Sequence, residues 1–203
     1  MAKIKKYKIA RRLGAAVYEK TQSQKFMLSE QKRSKARTGR PKRPTDYGIS
    51  LIQKQRVRFS YGVSEKQFRN YVNDALAAAK LGMVPADTLF KTIETRLDNV
   101  VYRSGIAGTR AFARQLTSHG HILVNNKKLD VPSYLVKKGD VLSIREGSKS
   151  KPVFEELAKT LEASKAPSWL AVDAKNMTVT VTGEPKNPDA FFNFQAVIEF
   201  YSR

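Results

Sequence analysis

The chain has 203 residues, 38 of them Lys or Arg and 18 Asp or Glu, giving a formal net charge of +20 with 41% hydrophobic residues. That length allows one or two domains, and no run approaches the roughly eighteen apolar residues of a membrane helix. Cysteine is absent, which removes a disulfide framework and a thiolate zinc site and fits a cytosolic protein.

The charge is concentrated. Residues 1–45 hold 15 Lys and Arg against only Glu19 and Glu30, whereas the other 158 residues hold 23 against 16 acids. Such a segment attracts polyanions, either nucleic acid or an anionic membrane. The apolar residues Ile4, Tyr7, Ile9 and Leu13 are too sparse for a membrane-reading face. Their basic surroundings also argue against a secretory leader; a mitochondrial transit peptide stays as a minor alternative.

Residues 1–45 read as a basic extension without its own core, with a helical stretch around Ile9 to Phe26, ordering on a phosphate-bearing partner. The prolines of Arg40-Pro41-Lys42-Arg43-Pro44 disfavour helix and mark a junction. Ile49 to Phe59 then sets Lys54, Gln55, Arg56 and Arg58 among Leu51, Ile52, Val57 and Phe59. Ser64-Glu65-Lys66-Gln67 fits a capping box, and Phe68, Tyr71, Val72, Ala75, Leu76 and Ala79 follow at helical spacing to a stop at Gly82. The next helix starts at Pro85 and carries Leu89, Phe90, Ile93, Leu97, Val100 and Val101 without a break to Ser104-Gly105.

Thr109 is placed to cap a further helix bearing Phe112, Ala113 and Leu116, which Gly120 ends. His121 to Val124 reads as a strand, Asn125-Asn126 as a hairpin turn needing positive φ, and Val141 to Ile144 as another strand after the Gly139-Asp140 turn. Arg110 and Arg114 share a helix side, and Lys127 and Lys128 follow the turn; all four are expected to face one way. Gln115, Ser118 and Asn125 lie between these charges. Phosphate neutralisation with interspersed polar contacts is what RNA binding requires, although ordinary solvated charge is the blander alternative.

Glu146 to Lys151 reads as a mobile basic turn, and Phe154, Leu157, Ala158 and Leu161 as a short helix. Trp169 is a core anchor, Met177 to Thr182 a half-exposed strand, and Phe191 to Tyr201 an apolar end of ambiguous type that must dock. No catalytic constellation appears. His119 and His121 alone make a poor metal site and are expected to touch phosphate or pack locally, and Asp98 reads as one partner of a structural ion pair. Neither a metal, a cofactor nor an enzymatic activity is expected.

Three signatures, RLDNVVYR, TRAFARQL and HGHILVNNKKLDVPSYLVKKGD, resemble the RNA-binding fold named after ribosomal protein four of the small subunit. That fold also serves pseudouridine synthases, some aminoacyl-tRNA synthetases and a ribosome-rescue factor. Outside it, Arg43-Pro44-Thr45-Asp46-Tyr47-Gly48, Lys54-Gln55-Arg56-Val57-Arg58, Tyr61-Gly62-Val63, Gln67-Phe68-Arg69-Asn70-Tyr71, Pro167-Ser168-Trp169-Leu170 and Glu199-Phe200-Tyr201-Ser202-Arg203 are similar to the bacterial-type small-subunit ribosomal protein four family itself.

The resemblance implies an α+β protein: a basic N-terminal extension (1–45), a helical domain (46–92, completed by 185–203), and an inserted domain of short helices on a five-stranded antiparallel sheet (93–184). It implies a structural constituent of the cytoplasmic small ribosomal subunit, with an organelle ribosome as a minor alternative. It further implies binding to the five-way junction in the 5′ domain of small-subunit ribosomal RNA, nucleation of assembly, and contact with small-subunit protein five that bears on decoding accuracy. Small-subunit protein three is a second candidate neighbour, and messenger RNA would pass near Arg40, Lys42 and Arg43. The RNA-binding residues expected are these three with Tyr47, Lys54, Gln55, Arg56, Arg58, Tyr61, Gln67, Arg69, Arg110, Arg114, Gln115, Ser118, His119, Asn125, Lys127 and Lys128. Many relatives carry four cysteines in the arm as a zinc knuckle; this chain has none, and its extra cations are expected to substitute RNA-induced order. An RNA-modifying enzyme and a free RNA-binding regulator or rescue factor are the alternatives.

Overall fold

A computed structural model describes residues 5–35, 45–155, 157, 160–161, 166–186 and 191–202. In chain order the described elements are α1 (Lys6–Leu13), a 3-10 turn (Glu19–Thr21), α2 (Gln24–Lys35), α3 (Asp46–Tyr61), α4 (Glu65–Ala79), α5 (Pro85–Glu94), α6 (Leu97–Arg103) and α7 (Arg110–Ser118). There follow β1 (Ile122–Val124), β2 (Lys127–Lys128), β3 (Val141–Ile144), α8 (Glu146–Lys149), α9 (Pro152–Glu155), β4 (Leu170–Asp173), β5 (Thr178–Val181) and α10 (Phe194–Tyr201). They divide into two compact units, 1–86 with 188–203, and 87–187.

The first unit is helical. Gly14, at φ +60°, ends α1, so the helical stretch expected around Ile9 to Phe26 is instead two helices joined by a turn. Within that turn the Thr21 hydroxyl donates to the Tyr18 carbonyl at 2.6 Å. Ala10, Leu13, Val17, Tyr18 and Phe26 bury together, with Ile52 and Phe59 of α3 packed against them. Residues 6–35 are therefore not an arm without a core. Two guanidinium N–H groups of Arg56 also donate to the Leu13 carbonyl, at 3.1 and 2.9 Å, and tie the end of α1 to α3.

Thr45 caps α3 by accepting the Gly48 N–H, and Ser64 caps α4 by accepting the Gln67 N–H. The ambiguous C-terminal stretch is helical from Phe194, capped by Asn193, and its rings dock on α3: Tyr47 on Phe200 and Tyr61 on Phe192.

The second unit holds an antiparallel sheet ordered β2-β1-β3-β5-β4. Period-two alternation puts Ile122, Val124, Leu142, Ile144, Val179 and Val181 in its core. Leu97, Val100 and Val101 of α6, Ala113 and Leu116 of α7, and Trp169 join the same cluster.

The continuous helix expected from Pro85 is broken at Arg96, whose backbone is extended at φ −60°, ψ 137°. The Leu97 and Asp98 N–H groups leave the helical ladder and donate to the Tyr134 and Pro132 carbonyls, at 2.8 and 3.2 Å. A pairing partner from the strand-like loop thus outcompetes the helix's own carbonyls, which periodicity cannot register. The stretch expected to be a mobile turn forms α8, with Ser148 buried, and Phe154, Leu157 and Leu161 are buried as the amphipathic pattern requires. Ala158 lies outside the described residues.

Candidate nucleic-acid interface

The break at Arg96 opens α6 with a run of charge. Arg96 is 2% exposed and donates two hydrogen bonds to the Asp98 carboxylate, at 3.0 and 2.8 Å. Arg114 of α7 donates two more to the same carboxylate, at 2.9 and 2.6 Å. Next to Asp98, the Asn99 side-chain oxygen accepts from Arg110 at 2.9 Å, and the Arg110 guanidinium lies 4.4 Å from the centre of the Tyr102 ring. Asn99 is itself fixed, since its amide donates to the carboxylate of Glu94 at 2.8 Å, and Glu94 also receives Arg103 at 3.0 and 2.7 Å.

A buried carboxylate is tolerable only when paired and hydrogen-bonded, and each of these acids is. The result is a ladder in which consecutive residues of α6, Asp98 and Asn99, hold the two arginines one helical turn apart on α7. Asp98 is more than the partner of a single ion pair, because it orients both a buried and a half-exposed arginine. Glu94 and Asn99 were missed in the sequence because neither belongs to an obvious constellation. A signal was available in the spacing, since Glu94 and Asp98 lie two residues on either side of Arg96 and Asn99 lies four before Arg103.

Beyond the ladder, Gln115, Ser118 and His119 are exposed at the end of α7, as are Lys127 and Lys128 on β2. Consecutive strand residues project to opposite faces, so the two lysines diverge, and the expectation that both face the way of Arg110 and Arg114 is corrected. Gly120 is favoured by its φ of +69°; the Lys128 stem lies against it, and a Cβ there would make that flexible side chain move aside.

Asn125 and Asn126 have φ of +49° and +63°, the paired positive values of the expected hairpin turn. Asn125 also donates from its amide to Asp140 at 2.8 Å and accepts the Val141 N–H at 2.9 Å, so its side chain serves the turn. His121 packs its edge on Phe154 and shares a 2.8 Å hydrogen bond with the Ser148 hydroxyl. Burial first, then the charges of Lys151, His119 and Arg145, hold it below the usual imidazole range.

In the helical unit the expected residues separate by role. Lys54 is only 6% exposed; its ammonium donates to Glu65 at 2.7 Å and sits 4.6 Å from the Phe200 ring centre. It is an internal ion-pair partner, which corrects its assignment as a surface cation. Arg56 is committed to the Leu13 carbonyl as described, and Tyr61 is buried against Phe192. Arg58 donates to Gln55 at 2.9 Å, lies over the Phe59 ring at 4.2 Å and faces Glu65 at 3.3 Å.

Burial alone would raise the Glu65 carboxyl, but hydrogen bonds from Lys54 and Tyr201 and the charges of Lys54 and Arg58 outweigh it and hold the group low. Tyr201 is pushed well above the usual phenol range by burial and then by Glu65. Tyr47 is 54% exposed, Arg69 is exposed and Gln67 half-buried. Arg40, Lys42 and Arg43 lie outside the described residues. Among the described residues no group of three or more metal-ligating side chains could hold an ion, and no helix is long and apolar enough to cross a membrane.

Two family models match the chain: the ribosomal protein S4/S9 N-terminal domain over residues 2–94 and the S4 domain over residues 95–142. The chain is similar to the small ribosomal subunit protein uS4 of several bacteria. It is 46% identical to that of Dehalococcoides mccartyi over 167 residues, covering 81% of this chain and 79% of the relative. With that of Aquifex aeolicus it shares 39% identity over 204 residues, covering 97% and 95%. With that of Chloroflexus aurantiacus it shares 40% over 200 residues, covering 97% and 96%.

Proposed function

Because the chain belongs to the bacterial-type ribosomal protein S4 family, a structural, non-enzymatic and ribosomal-RNA-binding constituent of the small subunit, we propose that it binds early to the 5′-domain junction of that RNA and nucleates subunit assembly. The observation that carries this reading is the ladder: Asp98 and Asn99 fix Arg114 and Arg110 before any RNA arrives. Cations oriented in advance lose less freedom on binding a folded polyanion than solvated side chains do.

Around them, Gln115, Ser118 and His119 supply further exposed contacts, one of the two diverging lysines of β2 adds another, and Tyr47, Arg58 and Arg69 supply those of the helical unit. In this reading residues 1–45 add cations on a segment anchored by its own small core against Ile52 and Phe59, the helical part 46–92 with 185–203 and the inserted part 93–184 each grip RNA, and the basic segment needs no zinc. Arg40, Lys42 and Arg43 would lie along the channel by which messenger RNA enters. Small-subunit protein five, and protein three as a second neighbour, would abut the chain, the first of these contacts bearing on decoding accuracy. The setting is the small ribosomal subunit of the cytoplasm, with an organelle ribosome as the alternative.

Filter binding of the full chain to a 5′-domain RNA transcript tests the reading. Neutralising roughly six to ten phosphates costs about three to five decades of affinity between 50 and 200 mM salt. A flat salt response would overturn it. Retention on small subunits through a moderate salt wash in a sucrose gradient separates a structural constituent from a free regulator, and zinc found at stoichiometric level would refute the metal-free basic segment.

A further inference from the structure

The helical unit carries a groove that the roles above touch only at Arg58. Its walls are α1, through Ile9, Arg12 and Leu13, and α3, through Leu51, Ile52, Gln55, Arg58 and Phe59. On α1 these positions are i, i+3 and i+4, and on α3 they repeat the same spacing, so each helix presents one stripe to the space between them. The volume is about 430 Å³, inside the roughly 300–1,000 Å³ of sites that hold small ligands. The double hydrogen bond from Arg56 to the Leu13 carbonyl fixes the helices on either side of it.

We infer that this groove is a base-accepting slot, which one unstacked nucleotide of the ribosomal RNA enters with its ring against the apolar walls, its edge beside the Gln55 amide and its phosphate at Arg12. The inference rests on the RNA-binding reading and adds a mode of contact to it.

Three features favour a nucleotide over an apolar protein segment. The walls are apolar but flat groups are built into them: the Arg58 guanidinium lies over the Phe59 ring, 4.2 Å from its centre, and donates a 2.9 Å hydrogen bond to Gln55. Guanidinium and aromatic planes are the surfaces on which single-stranded RNA bases stack. Second, no acid is among the lining residues, and of the two lining cations Arg58 faces Glu65 at 3.3 Å, which leaves Arg12 as the one turned to a ligand's charge. That complements a phosphodiester and would repel a basic partner. Third, Gln55 spends its carbonyl oxygen on Arg58, and its amide N–H₂ is the kind of donor that reads the carbonyl edge of a base.

The test uses the full chain and a small-subunit ribosomal RNA transcript. Ultraviolet crosslinking followed by mass spectrometry is expected to join one nucleotide to a peptide of α1 or α3 that lines the groove. Leu51→Trp, which fills the slot, is expected to weaken binding about ten-fold and erase that crosslink. Expelling the nucleotide also takes its phosphate from Arg12, so the slope of affinity against salt should fall by no more than about one, the rest of the lost affinity being salt-independent stacking. Arg12→Ala is expected to reduce the slope by about one. Gln55→Leu removes the amide from a half-buried position and carries the test if the tryptophan variant fails to fold.

Parent-like affinity with Gln55→Leu and Leu51→Trp, or an absent groove crosslink, would overturn the slot while leaving RNA binding intact. If the same variants bound RNA normally but failed to join assembling subunits with other proteins, the groove would belong to a protein segment and the inference would fall. No salt-dependent binding by the parent chain would overturn the RNA-binding reading itself.

Discussion

The two compact units hold their cations by opposite means. In the sheet-bearing unit the acids lie inside: Asp98 and Glu94 have side chains 4% and 1% exposed, and arginines reach inward to them. In the helical unit the central acid, Glu65, is 47% exposed, and it is the cation Lys54 that is buried among aromatic rings. Buried acids with surface arginines yield a rigid, oriented positive face. A buried lysine with a surface acid instead locks three helices together, because Glu65 of α4 meets Lys54 and Arg58 of α3 and Tyr201 of α10. The first arrangement prepares binding, and the second secures the scaffold on which other cations ride.

Asp98→Ala should give the largest effect. It leaves the buried Arg96 guanidinium without its carboxylate and releases Arg114, so the cost is about 3–5 kcal/mol, read by urea denaturation. A loss under 1 kcal/mol would mean that the ladder does not support the fold. The double change Arg110→Ala with Arg114→Ala removes the outer arginines but keeps the Arg96–Asp98 pair. Stability should fall by only about 1 kcal/mol, since Arg114 is itself substantially exposed. Affinity for 5′-domain RNA should drop, with the salt slope shallower by about two. An unchanged slope would show that α7 does not face phosphate.

These effects also mark what could be read without coordinates. Local features were legible because local chemistry dictates them: Thr109 and Ser64 as caps, the positive φ at Asn125-Asn126 and Gly120, the alternating strand at 178–181. The sites most fully misjudged are those decided by distant partners. Lys54 looks like any cation in a basic run until Glu65 and Phe200 converge on it from α4 and α10. Arg96 continues a helical pattern until Leu135 pairs with it as an isolated bridge and the helix breaks. The small core of residues 10–26 was hidden because its apolar residues are sparse on their own and suffice only with Ile52 and Phe59 added.

Acid should sharpen the contrast between the units. His121 is held below the ordinary value of 6.5, so folding favours its neutral form; that contribution is complete above pH 6.5 and is lost as pH falls toward the folded value. Glu65 is held below 4.5, so its contribution is complete above pH 4.5 and lost as pH falls through its lowered value. Acidification should therefore loosen the sheet-bearing unit before the helical one, followed by amide hydrogen exchange across pH 7 to 4. Glu65→Gln at neutral pH should cost about 1 kcal/mol, near the low end for charged hydrogen bonds because Glu65 is half-exposed. If acid loosened α3, α4 and α10 first, the assignment of the pH windows would be wrong.

The smallest effect distinguishes two neighbours with nearly the same backbone. Both Asn125 and Asn126 sit at positive φ, where glycine is free of the Cβ penalty. Asn126→Gly should therefore raise stability by a few tenths to about 1 kcal/mol, seen as a rise of several degrees in Tm. Asn125→Gly gains the same backbone relief but gives up the acceptor for the Val141 N–H and the bond to Asp140. Losses of about 1 kcal/mol for each such bond outweigh the relief, so the second variant should melt lower than the parent. Both variants should bind 5′-domain RNA with the parent's affinity, since Asn125 spends its side chain on the turn. A variant that keeps its Tm but loses affinity would return Asn125 to the RNA-contacting residues and show that the hairpin tip meets RNA as well as α7.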